Sequence, residues 1–307
     1  MYDMSLEIRN FKQEDMPLLR EFYQVVTKDR KVVFWWVGPE GNWANVFCAF
    51  DNGKMVAKGQ VEVINNIHDG SPKESRHSIY FNLKTLPERE EDFEVINLLY
   101  ERVYARGLEL KQQLSSSYQT NLCFGNFATE VSNNSYFVEE KGFKPLNTLY
   151  TMERNLQEPI EASNLPLENV SWQFWKMDSL EEEKQYLEVE SQIWPDTALG
   201  LQKLHEYKRN PSWTSIPVRD NGKIIASAMA WQEEDMGVIE DVFVIENWRK
   251  LGIAKFLLTT GLTYLKEIGL DRASLMVDTE NENALNLYRS VGFHVVEEER
   301  RYFITLD

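Results

Sequence analysis

The sequence predicts a mixed α/β fold, built as two tandem domains of one kind. Three observations carry this. Strand-like alternating runs and helix-period runs interleave along the whole chain. The 307 residues are enough for two domains of ordinary size. Gly142-Phe143 and Gly292-Phe293 lie 150 residues apart in one context, a short helix followed by a last strand, as an internal duplication would leave them.

The first half reads in order as follows. Ser5–Phe11 alternates as a strand and Met16–Thr27 has a helical period. Asn45–Phe50 and Met55–Ile64 are two apolar runs paired across Asp51-Asn52-Gly53, a hairpin signal because Asn and Gly tolerate positive φ. Ser78–Leu83 is a strand, Phe93–Lys111 a long helix, Asn121–Phe124 a strand, and Leu149–Arg154 the last strand after Gly142-Phe143. Residues 157–170 (QEPIEASNLPLENV) hold two prolines and no hydrophobic period, and read as a linker. The expected domains are therefore 1–156 and 171–307.

The second half repeats the order. Ser171–Lys176 is a strand, and Ser179–Ile193 and Leu199–Arg209 are helices separated by Trp194-Pro195-Asp196. Thr214–Arg219 and Lys223–Trp231 flank Asp220-Asn221-Gly222, a second hairpin signal. Gly237–Val244 is a strand and Gly252–Ile268 an amphipathic helix. Ala273–Val277 is a strand and Glu282–Val291 a helix. Phe293–Leu306 is a strand with a possible break at Glu297-Glu298-Glu299.

Composition narrows the function. Hydrophobic residues at 43% and charged residues at 27% exclude a disordered chain. A net charge of −16 argues against nucleic acid or an anionic membrane as partner. Residues 1–156 carry 22 acids and 18 bases, residues 157–307 carry 27 and 15, so the acidity belongs mostly to the second half. Two cysteines, with no CxxC or HxxxH spacing, leave no basis for a disulfide scaffold or a metal site. No signal peptide is read at Met1–Glu7 and no membrane-spanning apolar stretch elsewhere. A cytoplasmic monomer or homodimer is expected.

One segment, Val242–Lys255, stands out. A strand runs through a turn into the N-terminus of a long helix. The first turn of a helix exposes four backbone N–H groups and a partial positive charge. Gly252 and Ala254 let a ligand approach that backbone, and Arg249, Lys250 and Lys255 add cations, together a phosphate or pyrophosphate site. Alone, R-x-x-G-x-A also fits a helix that merely follows a basic turn.

With its surroundings, the segment resembles the GNAT superfamily of acetyl-CoA-dependent N-acetyltransferases. The strand Val238–Val244, the loop Arg249-x-x-Gly252-x-Ala254, the helix pattern Asn281-x-x-Ala284-x-x-x-Tyr288 and the following Gly292-Phe293 match that family in order, over roughly residues 170–307. The first half resembles a second, decayed copy, so the whole resembles tandem-GNAT proteins, the architecture of mycothiol synthase.

The resemblance implies acetyl-CoA as co-substrate. Its pyrophosphate would lie on Arg249, Lys250, Leu251, Gly252, Ile253, Ala254 and Lys255. Its pantetheine would pair with backbone near Phe243 and Val244 and be held by the Asn281 amide. It implies direct transfer to a primary amine, a small cationic one suiting the acidic half, with protein N-termini and lysines also open as acceptors. Glu240 would be the base, Tyr288 the acid at the departing thiolate, and the Val244 amide an oxyanion donor. Glu240 and Asp241 are expected on opposite faces of their strand, so only one should enter the cleft. Trp194, Asp196 and Asp241 are weaker substrate candidates. A second reading, a non-catalytic acyl-CoA-binding protein, has no need of the phenol at 288.

The first half departs from the pattern. No glycine opens the helix at Phe93, and Glu88, Glu90, Glu91 and Asp92 occupy the turn. Counting back from Gly142-Phe143 puts Val131 opposite Asn281 and Val138 opposite Tyr288. This half is expected not to bind acetyl-CoA productively. His68, His77, His205 and His294 are scattered and read as surface or core histidines. Cys48 and Cys123 read as buried thiols. The acidic runs Glu181–Glu183, Glu233–Asp235 and Glu297–Glu299 read as solvated, and Trp35, Trp36 and Trp43 as core aromatics or a substrate wall.

Overall fold

The computed structural model describes residues 6–67, 71–165, 167, 169–195 and 197–307. His68 and Asp196 lie outside the described residues. The chain runs β1 (Leu6–Asn10), α1 (Met16–Thr27), β2 (Val46–Asp51), β3 (Lys54–Asn65), β4 (Arg76–Thr85), α2 (Phe93–Lys111), β5 (Gln119–Phe127), α3 (Val131–Glu139) and β6 (Lys144–Asn155). It continues β7 (Val170–Trp172), α4 (Leu180–Ile193), α5 (Gly200–Lys208), β8 (Thr214–Ser215), β9 (Val218–Asp220), β10 (Lys223–Glu233), β11 (Met236–Val244), α6 (Ile253–Glu267), β12 (Arg272–Asp278), α7 (Glu282–Ser290) and β13 (His294–Leu306). Both Asn-Gly hairpins form, with Asn52, Gly53, Asn221 and Gly222 all at positive φ.

The chain divides into two compact units at different places from those its composition suggested. Unit 1 is Met1–Thr148 with Glu299–Asp307, and unit 2 is Leu149–Glu298. Each half of the sequence thus lends its last strand to the other unit. Pairing is the physical reason. Leu149–Asn155 of β6 run antiparallel to β12 from Asp278 to Arg272. Glu299–Leu306 of β13 run antiparallel to β5 from Phe127 to Thr120. The β13 strand is continuous through Glu297–Glu299, and the unit boundary falls within that acidic run.

Unit 1 carries β1, β2 and β3 antiparallel, then β4 parallel to β5, then the end of β13. Its core centres on Phe81, against the rings of Tyr100, Phe124, Phe137 and Phe143. Cys48 and Cys123 are buried in this unit, and burial pushes both thiols up to about 12, so neither is a thiolate near neutral pH. His77 is fully buried and satisfied: Nδ1 accepts from the Ile67 amide and Nε2 faces the Ser115 carbonyl. Trp36 is exposed and meets Tyr23 edge-on, while Trp43 packs edge-on against Phe11.

Unit 2 carries β7, β9, β10 and β11 antiparallel, then β12 parallel to β11, then the end of β6. Helix α6 buries Phe256, Leu257, Leu258, Leu262 and Leu265, the stripe its 3.6-residue period requires. Gly292 turns the chain between α7 and β13 at φ +89, and a Cβ there would stand 1.5 Å from Arg154 Nη1. No helix among the described residues is long and apolar enough to cross a membrane.

Candidate active site

The site of unit 2 begins with an irregularity in β11. Opposite β10, Ser227 pairs with Phe243 and Met229 with Glu240, so Asp241 and Val242 together face one residue. This is a β-bulge, and Asp241 takes it up at φ +54, a conformation Asp tolerates better than most residues. On its other edge β11 pairs with β12 only at Gly237–Ala273 and Val238–Ser274. Beyond them the two parallel strands part. A cleft of about 350 Å³ opens there, lined by Glu240, Asp241 and Val242 from β11 and by Leu275 to Asp278 from β12.

The bulge corrects the expectation that only one acid enters the cleft. Strict alternation would send Glu240 and Asp241 to opposite faces. The extra residue breaks the alternation, and both line the cleft. Asp241 Oδ2 accepts a hydrogen bond from the Tyr186 hydroxyl of α4. Burial, then the charge of Asp241, raises the Glu240 carboxyl to about 7. Burial raises Asp241 to about 6, against the Tyr186 hydrogen bond, which favours its anion.

The ladder also sorts the backbone of Phe243 and Val244. The Ile245 amide donates to the Ile225 carbonyl at 2.9 Å. Amides alternate in direction along a strand. Phe243 therefore faces β10 with its backbone, and Val244 turns its N–H away, toward the parted edge. Phe243 takes part through its ring, which meets Tyr186 and Trp194 at centroid distances of 5.9 Å each. The Val244 carbonyl accepts from Arg249 Nε at 3.0 Å, which fixes the turn that follows.

That turn forms a second cleft of about 520 Å³. Lys250 at φ +64 and Gly252 at φ +82 curl the backbone onto the N-terminus of α6. Gly252 is the N-cap residue and has no side chain to cap the helix. The amides of Ile253, Ala254 and Lys255 are thus left as donors at the positive end of the helix dipole. Arg249, Lys250, Gly252, Ile253, Ala254 and Lys255 line this cleft; Leu251 does not, and is 43% exposed.

The two clefts share Trp194, Val242, Asn281 and Tyr288. Asn281 is the N-cap of α7, its Oδ1 accepting from the Ala284 amide at 3.1 Å, so its Nδ2 donor is not used by the cap. Tyr288 is 9% exposed, and burial with the Glu240 charge raises its hydroxyl to about 12. The phenol therefore stays protonated, and a donor, at neutral pH.

Sequence reasoning missed the wall contributed by α4 and α5. Glu190 and Tyr207 line the acidic cleft. Tyr207 stacks on Trp231 at 4.7 Å, which fixes its ring. Burial raises Glu190 to about 7. A signal was present: Glu183, Tyr186 and Glu190 recur at the spacing of the buried stripe of α4 and are the buried residues of that helix. Glu183 in particular is not solvated as expected; it is buried against Lys208 and His205. Glu299 is likewise buried, paired with Arg301.

Among the described residues of unit 1 these features are absent. Its long helix α2 is capped by its own carboxylate, Asp92 accepting from the Val95 amide at 3.2 Å. At α3 the helix ends one residue earlier than a one-for-one count assumes. The Phe143 amide bonds the Phe137 carbonyl, where the Phe293 amide bonds that of Tyr288. The counterparts of Asn281 and Tyr288 are therefore Glu130 and Phe137, rather than Val131 and Val138. Amide and phenol are absent either way.

Unit 2 thus combines a mixed β-sheet with a parted parallel strand pair and a helix N-terminus opened by glycine. Residues 172–293 match the pattern of the Acetyltransferase (GNAT) family. The fold as a whole resembles a GCN5-related N-acetyltransferase from Sphaerobacter thermophilus, with a TM-score of 0.72 at 17% identity over 98% of this chain and 95% of that one. It also resembles a tandem GNAT protein from the clavulanic acid biosynthesis pathway, with a TM-score of 0.67 at 12% identity over 98% of both chains. In sequence it is similar to the mycothiol acetyltransferase of Thermobifida fusca, 34% identical over 90 residues, 29% of this chain and 26% of that protein. The similarity to the mycothiol acetyltransferase of Corynebacterium aurimucosum is 34% over 73 residues, 23% and 24% of the two chains. The chain thus matches about a quarter of the length of these relatives. The L-ornithine N5-acetyltransferase NATA1 of Arabidopsis thaliana is 36% identical over 69 residues, 22% of this chain and 30% of that protein.

Proposed function

We propose that unit 2 is an acetyl-CoA-dependent N-acetyltransferase acting on a small cationic primary amine, and that unit 1 binds no acetyl-CoA. The observation that carries the reading is the position of Tyr288. It lies where a cation-lined, amide-rich cleft meets a carboxylate-lined one. An anionic cofactor suits the first and an amine the second.

The residues fit the cofactor. The amides of Ile253, Ala254 and Lys255, with Arg249 and Lys250, hold the pyrophosphate. The pantetheine runs along the free edge of β11, with the Asn281 amide as a further donor. Bound there, acetyl-CoA supplies an activated acyl group.

The chain's own groups do the rest. An alkylammonium has no lone pair and must first lose a proton. To a carboxylate with an ordinary pKa that transfer is uphill by about 8 kcal/mol. To Glu240 at about 7 it is uphill by about 4–5 kcal/mol, which leaves a usable barrier. The amine nitrogen then attacks the thioester carbon. The Val244 amide donates to the developing oxyanion. As the C–S bond breaks, the Tyr288 hydroxyl gives its proton to the departing thiolate, the second nitrogen proton restores the phenol, and Glu240 returns the first to solvent. No acyl-enzyme forms.

The test is calorimetric titration with acetyl-CoA, followed by thiol release against a panel of amines. One molecule bound per chain, with release dependent on an amine, is expected. Binding without release on any amine would favour a non-catalytic acyl-CoA-binding protein.

A further inference from the structure

Glu190 stands out among the buried acids of unit 2. It is 2% exposed. Its Oε1 accepts the Leu199 amide at 3.0 Å, and its Oε2 is buried without a hydrogen-bond partner. A buried carboxylate oxygen left unpaired is costly.

The same helix carries a control. Glu183, seven residues earlier on the same face, is also buried, and there Lys208 and His205 supply the partners. At Glu190 the cleft offers no such cation. Its other charged walls are Glu240, Asp241 and Asp278, and no Lys, Arg or His is among its described lining residues. Tyr207 and Trp194 add aromatic surface beside the acids, a further preference for cations.

We infer that Glu190 is a specificity-determining residue that receives a second, non-reacting ammonium of the acceptor, which makes the acceptor an alkyl diamine without a carboxylate or phosphate group. The inference rests on the acetyltransferase reading and sharpens it. One amine loses its proton to Glu240 and reacts. The other stays charged and fills the vacant bond of Glu190 Oε2. An acceptor carrying its own carboxylate would bring a fifth acid into the cleft and be repelled.

The experiment compares alkane diamines with amino alcohols of the same length, which match their size and polarity but lack the second charge. Thiol release from acetyl-CoA gives kcat/KM for each. The wild-type protein is expected to favour diamines, and Glu190→Gln, which keeps an acceptor for the Leu199 amide, to reduce that preference roughly 10- to 100-fold. Unchanged acetyl-CoA affinity in the variant reports an intact fold. Equal rates for diamine and amino alcohol in the wild-type protein, or a preference that survives Glu190→Gln, would overturn the inference while leaving the acetyltransferase reading in place. If no amine releases thiol, that reading fails separately. Calorimetric binding of diamine against amino alcohol to the CoA-loaded wild-type protein then decides the role of Glu190, and equal affinities would overturn it.

Discussion

The Tyr186 hydroxyl donates to the Asp241 carboxylate, tying α4 to the bulge of β11. Asp241 sits at positive φ in that bulge, and the bulge brings Glu240 and Asp241 into one cleft. Two acids so placed titrate together. Asp241→Asn should keep the conformation, since Asn also tolerates that φ, and remove one charge. The acidic limb of the pH–rate profile should move down by roughly 0.5–1 pH unit. A limb that stays in place would separate Asp241 from the titration.

Tyr288→Phe removes one oxygen from a residue otherwise packed against Phe293. The proposed donor role predicts a fall in kcat of roughly 100-fold or more, with little change in acetyl-CoA affinity. Full turnover in the variant would contradict the assignment.

Gly252→Ala tests the cofactor turn. The backbone there sits at φ +82 and precedes an uncapped helix N-terminus. A Cβ should cost about 1–2 kcal/mol of stability and weaken acetyl-CoA binding about tenfold, measured by chemical denaturation and calorimetry. Affinity at the wild-type level would place the pyrophosphate elsewhere.

In unit 1, Asp92→Ala removes the carboxylate that caps α2. Stability should fall by about 1 kcal/mol, and stoichiometry should remain one acetyl-CoA per chain. A second binding event in the variant would mean that this unit keeps a latent site.

Stability should also vary with pH. Glu190 and Glu240 have folded pKa values raised to about 7, and Asp241 to about 6. The folded state therefore binds more protons than the unfolded chain between about pH 4 and 7. Stability from these groups is complete below the ordinary carboxylate pKa and is lost as pH rises through their folded values. Glu183, whose carboxyl is lowered through Lys208 and His205, acts in the opposite sense and only in more acid solution. Melting temperature should fall between pH 5 and pH 8, and less steeply in Glu240→Gln. A melting temperature that climbs over that range would contradict the burial of these carboxylates.

Much of the fold was legible in the sequence because its signals are local. The Asn-Gly hairpins, the period of α6 and the helical run that opens at Ser179 depend on neighbouring residues alone. The loop Arg249–Lys255 was legible for the same reason. The exchange of last strands was not, since it depends on which distant strand each edge meets. The bulge at Asp241 was hidden because alternation in sequence assumes an unbroken ladder. Glu190 drew no reading, because its burial depends on α5 and β11 being placed beside α4.

Glu240 is proposed to deprotonate an amine beside bound acetyl-CoA. The most direct test is the pH dependence of kcat/KM for thiol release with a diamine acceptor, in the wild-type protein and in Glu240→Gln. The expected rate rises through an apparent pKa near 7 and is lost in the variant. The same rate and the same pH profile in Glu240→Gln would contradict it.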